Sequence, residues 1–136
     1  MNSIRKIINK PCLLVNKLNV RKQRIWYIER PEENAVCSAE FVPLWSTRAD
    51  LRFVKNVVLG KRFSQYLEEC SSGSSNSQKR VTPDTIVDAI VELPEVAEQK
   101  AIGDYLSNLD HLITTQQRKL ETLKRLKRFM LQNLFV

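Results

Sequence analysis

Histidine is almost absent from this 136-residue chain, with His111 the single case. One imidazole excludes a two-histidine metal site and leaves no Ser–His pair to assemble within the chain. Glycine occurs three times, and no Gly-rich phosphate loop or dinucleotide fingerprint is present. The three cysteines, Cys12, Cys37 and Cys70, are scattered, odd in number and without C-x-x-C spacing. They read as free, partly buried thiols, not as a disulfide framework or a metal site. No apolar run approaches the ~20 residues of a membrane span. The opening Met1–Lys10 stretch lacks a continuous hydrophobic segment and a small-residue cleavage site. A cytoplasmic protein without a membrane partner is therefore expected. Acidic residues are spread out with no nuclease pattern, so no enzyme, metal or cofactor is expected of this chain alone.

Proline is missing after Pro94, and that absence permits one long helix. Pro94 suits a first turn or the residue before it, and Glu95 and Glu98 put negative charge at the positive end of the dipole. Apolar residues recur at Ile102, Leu106, Leu109, Ile113, Leu120 and Leu123, a coiled-coil rhythm with Gln116 as a polar seam position. Beyond Leu123 the seam drifts to Leu126, Met130 and Leu134, closer to a straight 3.6 period. A helix from about Pro94 to about Asn133 would be roughly 60 Å long. A rod of that length has to shelter its seam, including Met130, against another helix. Arg118, Lys119, Lys124, Arg125, Lys127 and Arg128 flank the seam. They read as determinants of partner choice and solubility, with direct phosphate contact as the alternative.

The first ninety residues read as a small α+β unit. Cys12–Leu18 and Arg24–Glu29 are predicted strands, joined by the short connection Asn19–Gln23. Pro31–Asn34 is a turn, and Ala35–Trp45 a third strand in which Pro43 marks an edge or an end. Asp50–Gly60 is a helix with Asp50 as cap and Gly60 as stop, followed by a second over Lys61–Cys70 with Phe63, Tyr66 and Leu67 inward. Ser71–Ser77 is a loop. Thr82-Pro83-Asp84 caps a short helix reaching Asp88, and Ala89–Leu93 reads as a last strand.

Net charge of +7 leans toward a polyanion: residues 1–94 carry 15 basic and 10 acidic side chains, residues 95–136 seven and five. Two segments are candidates for touching DNA. In the Ser71–Arg80 loop, Ser72, Gly73, Ser74 and Ser75 could meet phosphate oxygens through hydroxyls and backbone amides, with Lys79 and Arg80 supplying charge. The alternatives are a solvated serine-rich loop or a glycine turn that seats the next strand. Arg21, Lys22 and Arg24 form the second candidate, on a hairpin tip that could enter the major groove. A solvated turn reads equally well. Trp26 and Tyr27, beside it, read as core more readily than as a base-stacking platform.

The string LPEVAEQKAIGDYLSNLDHLITTQQRKLETLKRLKRFMLQNLF, from Leu93, resembles the conserved spacer helix of the specificity subunit of type I restriction-modification enzymes. Its Leu-Pro lead, Glu98-Gln99 pair, Asp110-x-x-Ile113 step and basic run are the matching features. Residues 64–93, with helix, Ser-Gly-Ser loop and basic-Val step, are similar to the end of that family's target recognition domain, and Glu33–Trp45 to a strand pair of it. The resemblance covers residues 12–136. It implies a partial target recognition domain over residues 1–93 and a spacer helix over 94–136. Complete specificity subunits carry two such halves, so the chain looks like the distal part of one.

What the resemblance implies is a division of labour. The recognition domain reads part of a split target in double-stranded DNA, and the helix docks a modification methyltransferase subunit, with a further restriction motor subunit in the complex. The Asn-Pro-Pro-aromatic tetrapeptide of an adenine-amino methyltransferase is absent here, consistent with methyl transfer residing in the partner. With one helix in the chain, pairing with a second copy is the simplest shelter for the seam. The rival expectation is a coiled-coil interaction module that binds the modification subunit and never reads DNA.

Overall fold

A computed structural model describes residues 5–75 and 77–135. Among them the chain forms β1 (Arg5–Ile7), β2 (Cys12–Asn16), β3 (Ile25–Ile28), β4 (Val36–Ser38), β5 (Phe41–Leu44), α1 (Leu51–Leu59), α2 (Lys61–Glu69), α3 (Pro83–Val87) and α4 (Val96–Leu134). The fold is α+β, as the sequence predicts. The chain divides into two units, Met1–Gly103 and Asp104–Val136.

In the first unit β2 is the central strand, antiparallel to β3 on one side and to β5 on the other. All five of its residues are buried. Alternation explains this, because successive side chains point to opposite faces and both faces are covered. Leu13 and Val15 join Val42, Val58, Phe63, Leu67 and Ile86, so α1, α2 and α3 lie on this one face. Cys12 and Leu14 turn the other way, into a smaller cluster with Ile8 and Cys37. That second cluster is shared with the short antiparallel pair β1–β4. Each fully buried aliphatic side chain contributes about 1.5–3 kcal/mol.

The helix signals act as read. The Asp50 carboxylate accepts from the backbone N–H of Arg52 and Phe53, at 2.9 and 3.2 Å. The Thr82 hydroxyl accepts from Thr85 N–H at 3.2 Å, with Pro83 in the first turn. Gly60 ends α1 by a different route from the left-handed stop expected, since its φ of −66° and ψ of 152° are extended. A side chain is excluded there because a Cβ would lie 2.9 Å from the Val57 carbonyl oxygen.

Three expectations are corrected, and one strand is new. The single strand Ala35–Trp45 is two strands, β4 and β5, placed in different sheets by a turn at Ala39–Glu40. The Ser38 hydroxyl accepts from Glu40 N–H within that turn. Ala89–Leu93 forms no strand: it pairs with no strand among the described residues, and Ile90 is 97% exposed. A strand absent from the sequence reading, β1, pairs with β4 about thirty residues away. The long helix begins at Val96, not Pro94, and ends at Leu134.

The first turns of α4 belong to this unit, and one side chain fixes them. Gln99 is 2% exposed; its Oε1 accepts from Asp50 N–H at 3.0 Å, and its Nε2 donates to the Pro94 carbonyl at 2.8 Å. One turn on, a Cβ at Gly103 would lie 3.2 Å from Asp50 Oδ1 and from Phe53 N. Glycine here permits close approach of the α4 backbone to the start of α1.

The second unit is the remainder of α4. Leu109, Ile113, Leu120, Leu123 and Met130 are exposed, as are Leu112, Leu126, Phe129, Leu131 and Leu134. Ile102, in the first unit, and Leu106 are half-buried. Near its end the helix is apolar on opposite sides, since Phe129 and Leu131 stand two positions apart, roughly 200° around the axis.

Candidate nucleic-acid interface

The hairpin between β2 and β3 closes through a 3-10 turn, Val20–Lys22, flanked by Asn19 and Gln23 with φ of 53° and 41°. These left-handed residues are held by their neighbours. The Asn16 side chain accepts from Leu18 N–H at 2.8 Å, and Gln23 Nε2 donates to the Leu59 carbonyl at 2.9 Å, satisfying an end of α1. Val20 is buried in the main core, which anchors the turn and leaves Arg21 and Lys22 outward.

The serine-rich loop returns to the same place. Ser72 and Arg80 exchange backbone hydrogen bonds at 3.0 and 2.8 Å. Asn19 N–H donates to the Lys79 carbonyl at 2.9 Å, and Val81 N–H to the Lys17 carbonyl at 3.1 Å. Two segments that the sequence offers as separate candidates therefore form one basic ridge. It carries Lys17, Arg21, Lys22, Lys79 and Arg80, with Arg24 at the start of β3.

Within the ridge the cations are not equivalent. Arg21 pairs with Glu68 at 3.4 Å and Arg80 with Glu40 at 3.0 Å. Glu40 Oε2 is buried with no hydrogen-bond partner among the described residues, so Arg80 is that carboxylate's sole counter-charge there. Lys17, Lys22, Arg24 and Lys79 form no ion pair among the described residues. These four have charge to offer a phosphate.

The small residues of the loop are largely spent on its own shape. Ser74 Oγ donates to Gln78 Oε1 at 2.7 Å, and Ser75 Oγ lies 3.1 Å from Ser77 Oγ. Gly73 has φ of +154°, and a Cβ there would sit 2.8 Å from the Gln78 carbonyl oxygen. The close approach it permits is to its own loop.

Sequence reasoning missed the other face of the sheet. Trp26 is not core; it is 61% exposed and stacks on Phe41 with ring centroids 5.5 Å apart and planes 13° from parallel. The rings reach toward each other over β2 from its two neighbours. Beside them is an open cleft of about 540 Å³ lined by Ile8, Leu14, Ile28, Arg30 and Cys37 among others. The pattern Arg24-x-Trp26-x-Ile28-x-Arg30 was the available signal, a period-two row that mixes cations with aromatics. Burial, and then the neighbouring Cys37, pushes the Cys12 thiol pKa upward, which favours its neutral form.

Among the described residues, no group of three or more His, Cys, Asp or Glu could hold a metal ion. No described helix is long and apolar enough to cross a membrane. No protein-family model, curated protein or solved structure matches the chain.

Proposed function

We propose that the chain is a DNA-binding specificity component of a type I restriction-modification system. In this reading the α+β unit contacts part of a split target in double-stranded DNA, and α4 docks the modification methyltransferase subunit. The restriction motor subunit joins the same complex, in the cytoplasm. The chain itself supplies position, not chemistry.

The observation that carries the reading is the basic ridge formed by the hairpin turn and the Ser72–Arg80 loop. Four cations that form no ion pair among the described residues lie on or beside two backbone segments tied to each other, and the net charge is +7. Electrostatic neutralisation of phosphates would release counterions, so affinity should fall steeply with salt. For about four phosphate contacts the slope of log affinity against log salt is about −3.6. The exposed seam of α4 supports the second half of the reading. Leu112, Ile113, Gln116, Gln117 and Leu120 line an apolar groove of about 380 Å³. Apolar residues on opposite sides of the last turns suit two neighbours, a second copy of the helix and the modification subunit.

A specific observation favours a second reading, a coiled-coil module that binds the modification subunit without reading DNA. Arg21 and Arg80 are already paired with acidic residues. Co-expression with a type I modification subunit, followed by methylation mapping with and without this chain, separates the two. Chain-dependent methylation at a defined sequence, weakened by Lys22→Glu and Lys79→Glu, is the expected result. Complex formation with no chain-dependent methylation and no salt-dependent duplex binding would leave only the interaction module.

A further inference from the structure

The sheet face away from the helices carries an aromatic feature that the duplex-binding reading does not use. Strand alternation puts Trp26 and Ile28 of β3 on one side, with Leu14 of β2 opposite Trp26; just outside the strand, Arg30 lines the cleft on that side and Arg24 precedes β3, its carbonyl accepting from Asn16 N–H at 3.1 Å. Phe41, from β5, supports the indole by stacking. Trp26 nonetheless stays mostly accessible beside the cleft that Arg30 lines.

The second tryptophan gives an internal comparison. Trp45 is also exposed, but Lys10 Nζ lies 3.3 Å from its ring centroid, so its face is occupied by a cation from this chain. No cation is recorded over Trp26 among the described residues. Its nearest cations along the strand, Arg24 and Arg30, stand two positions before and four after it and form no ion pair among the described residues. An indole supported by one ring and bracketed by uncommitted arginines is complementary to a ligand with a flat π-face and flanking negative charge. An unpaired nucleobase within a single strand has both. An apolar peptide would fit the cleft's aliphatic lining but would leave the arginines without a role.

We propose that Trp26, backed by Phe41 and flanked by Arg24 and Arg30, is a stacking site for an unpaired nucleobase of single-stranded DNA. The site shares Arg24 with the duplex-binding ridge, but its stacking platform, Trp26 on Phe41, and Arg30 lie outside that ridge. Stacking of one base on an aromatic side chain corresponds to about a five- to hundred-fold change in affinity.

The test uses the full chain carrying Trp45→Phe, so that Trp26 is the sole tryptophan reporter. It is titrated with a single-stranded oligothymidylate of about ten nucleotides. Quenching of Trp26 fluorescence is expected on binding. Trp26→Ala should then weaken binding at least five-fold, measured by anisotropy of a labelled oligomer. Trp26→Phe, which keeps a ring and guards against simple misfolding, should recover part of that loss. Arg24→Ala with Arg30→Ala should lower the salt slope by about one to two. Three results would each overturn the proposal: no binding of the oligomer, binding unchanged in Trp26→Ala, or binding insensitive to the arginines. Duplex affinity measured in parallel keeps the two readings separate. Loss of single-strand binding alone removes this site, whereas absence of duplex binding alone removes the ridge.

Discussion

Leu13 and Leu120 are the same residue in opposite circumstances. Leu13, in β2, is fully buried between three helices and two neighbouring strands, whereas Leu120, in α4, is half exposed. The first unit closes its own core. The second presents leucine, isoleucine and phenylalanine to whatever lies beside it. A long helix gains most of its stability from packing an apolar face, so these residues have their energetic meaning in an assembly. The comparison teaches that hydrophobic content alone does not distinguish a core from an interface; what differs is whether the chain supplies the other side.

The sharpest way to break the comparison is a matched pair of substitutions. Leu13→Ala should cost about 2–5 kcal/mol, through lost burial plus a cavity that a two-sided strand cannot collapse. Leu120→Ala should change the stability of the isolated chain by less than about 0.5 kcal/mol, as at an exposed site. Urea unfolding followed by near-ultraviolet absorbance or fluorescence reports on the first unit. Sedimentation against concentration reports on α4. Equal destabilisation by the two substitutions in dilute monomer would show that the seam is packed within the chain.

The next effect lies where the units share a helix. Gln99→Ala removes the acceptor of Asp50 N–H and the donor to the Pro94 carbonyl. It should destabilise the first unit by about 1–3 kcal/mol, the cost of stranding buried polar groups. A thermal melt measures this, and Glu98→Ala beside it, at an exposed position, is the control. If both variants melt alike, the buried glutamine does not fasten the helix.

How much of this was visible in the sequence depends on how local the signal is. Caps are local: Asp50, Thr82 and Pro83 act within three residues of themselves, and their helices were legible. The α4 pattern is local in the same sense. Strand partners are not local. Ala35–Trp45 carries strand-forming residues throughout, and only the three-dimensional requirement to serve two sheets breaks it at Ala39–Glu40. Ala89–Leu93 has the composition of a strand but pairs with no strand among the described residues. The ridge was legible as two basic segments, whereas its unity rests on hydrogen bonds joining residues 17 and 19 to 79 and 81. Trp26 reads as core because aromatics in strands more often are; its exposure follows from which face the helices cover. Gln99 offered a faint signal, a glutamine four residues before a mid-helix glycine.

A smaller effect comes from acid. Burial alone would raise the Asp50 pKa, but hydrogen bonds from the Arg52 side chain and from the Phe53 and Arg52 amides outweigh it and hold it below the ordinary carboxylate value. A depressed native pKa contributes stability that is full above the unfolded value and lost as pH falls through the folded one. The α1 start and the adjoining α4 turn should therefore loosen only below about pH 4. Asp50→Asn keeps a competent cap while removing the titrating carboxylate, and should flatten the acid dependence of helical circular dichroism. An unchanged acid profile in that variant would assign the loss to other carboxylates.

The smallest effect tests whether the ridge resembles the self-sufficient unit or the dependent helix. Arg80 is held by Glu40, whose second oxygen is buried without a hydrogen-bond partner among the described residues. The pair is partly solvated, so Arg80→Ala should cost no more than about 1 kcal/mol. A double-mutant cycle with Glu40→Gln recovers part of that cost if the two side chains act on each other. Salt dependence of duplex binding then gives the decisive readout. If Glu40 keeps Arg80, the slope in Arg80→Ala equals that of the wild type, while Lys79→Ala lowers it by about 1. An equal drop in both variants would mean that Arg80 leaves Glu40 for a phosphate, and that this ion pair is a latch opened by DNA.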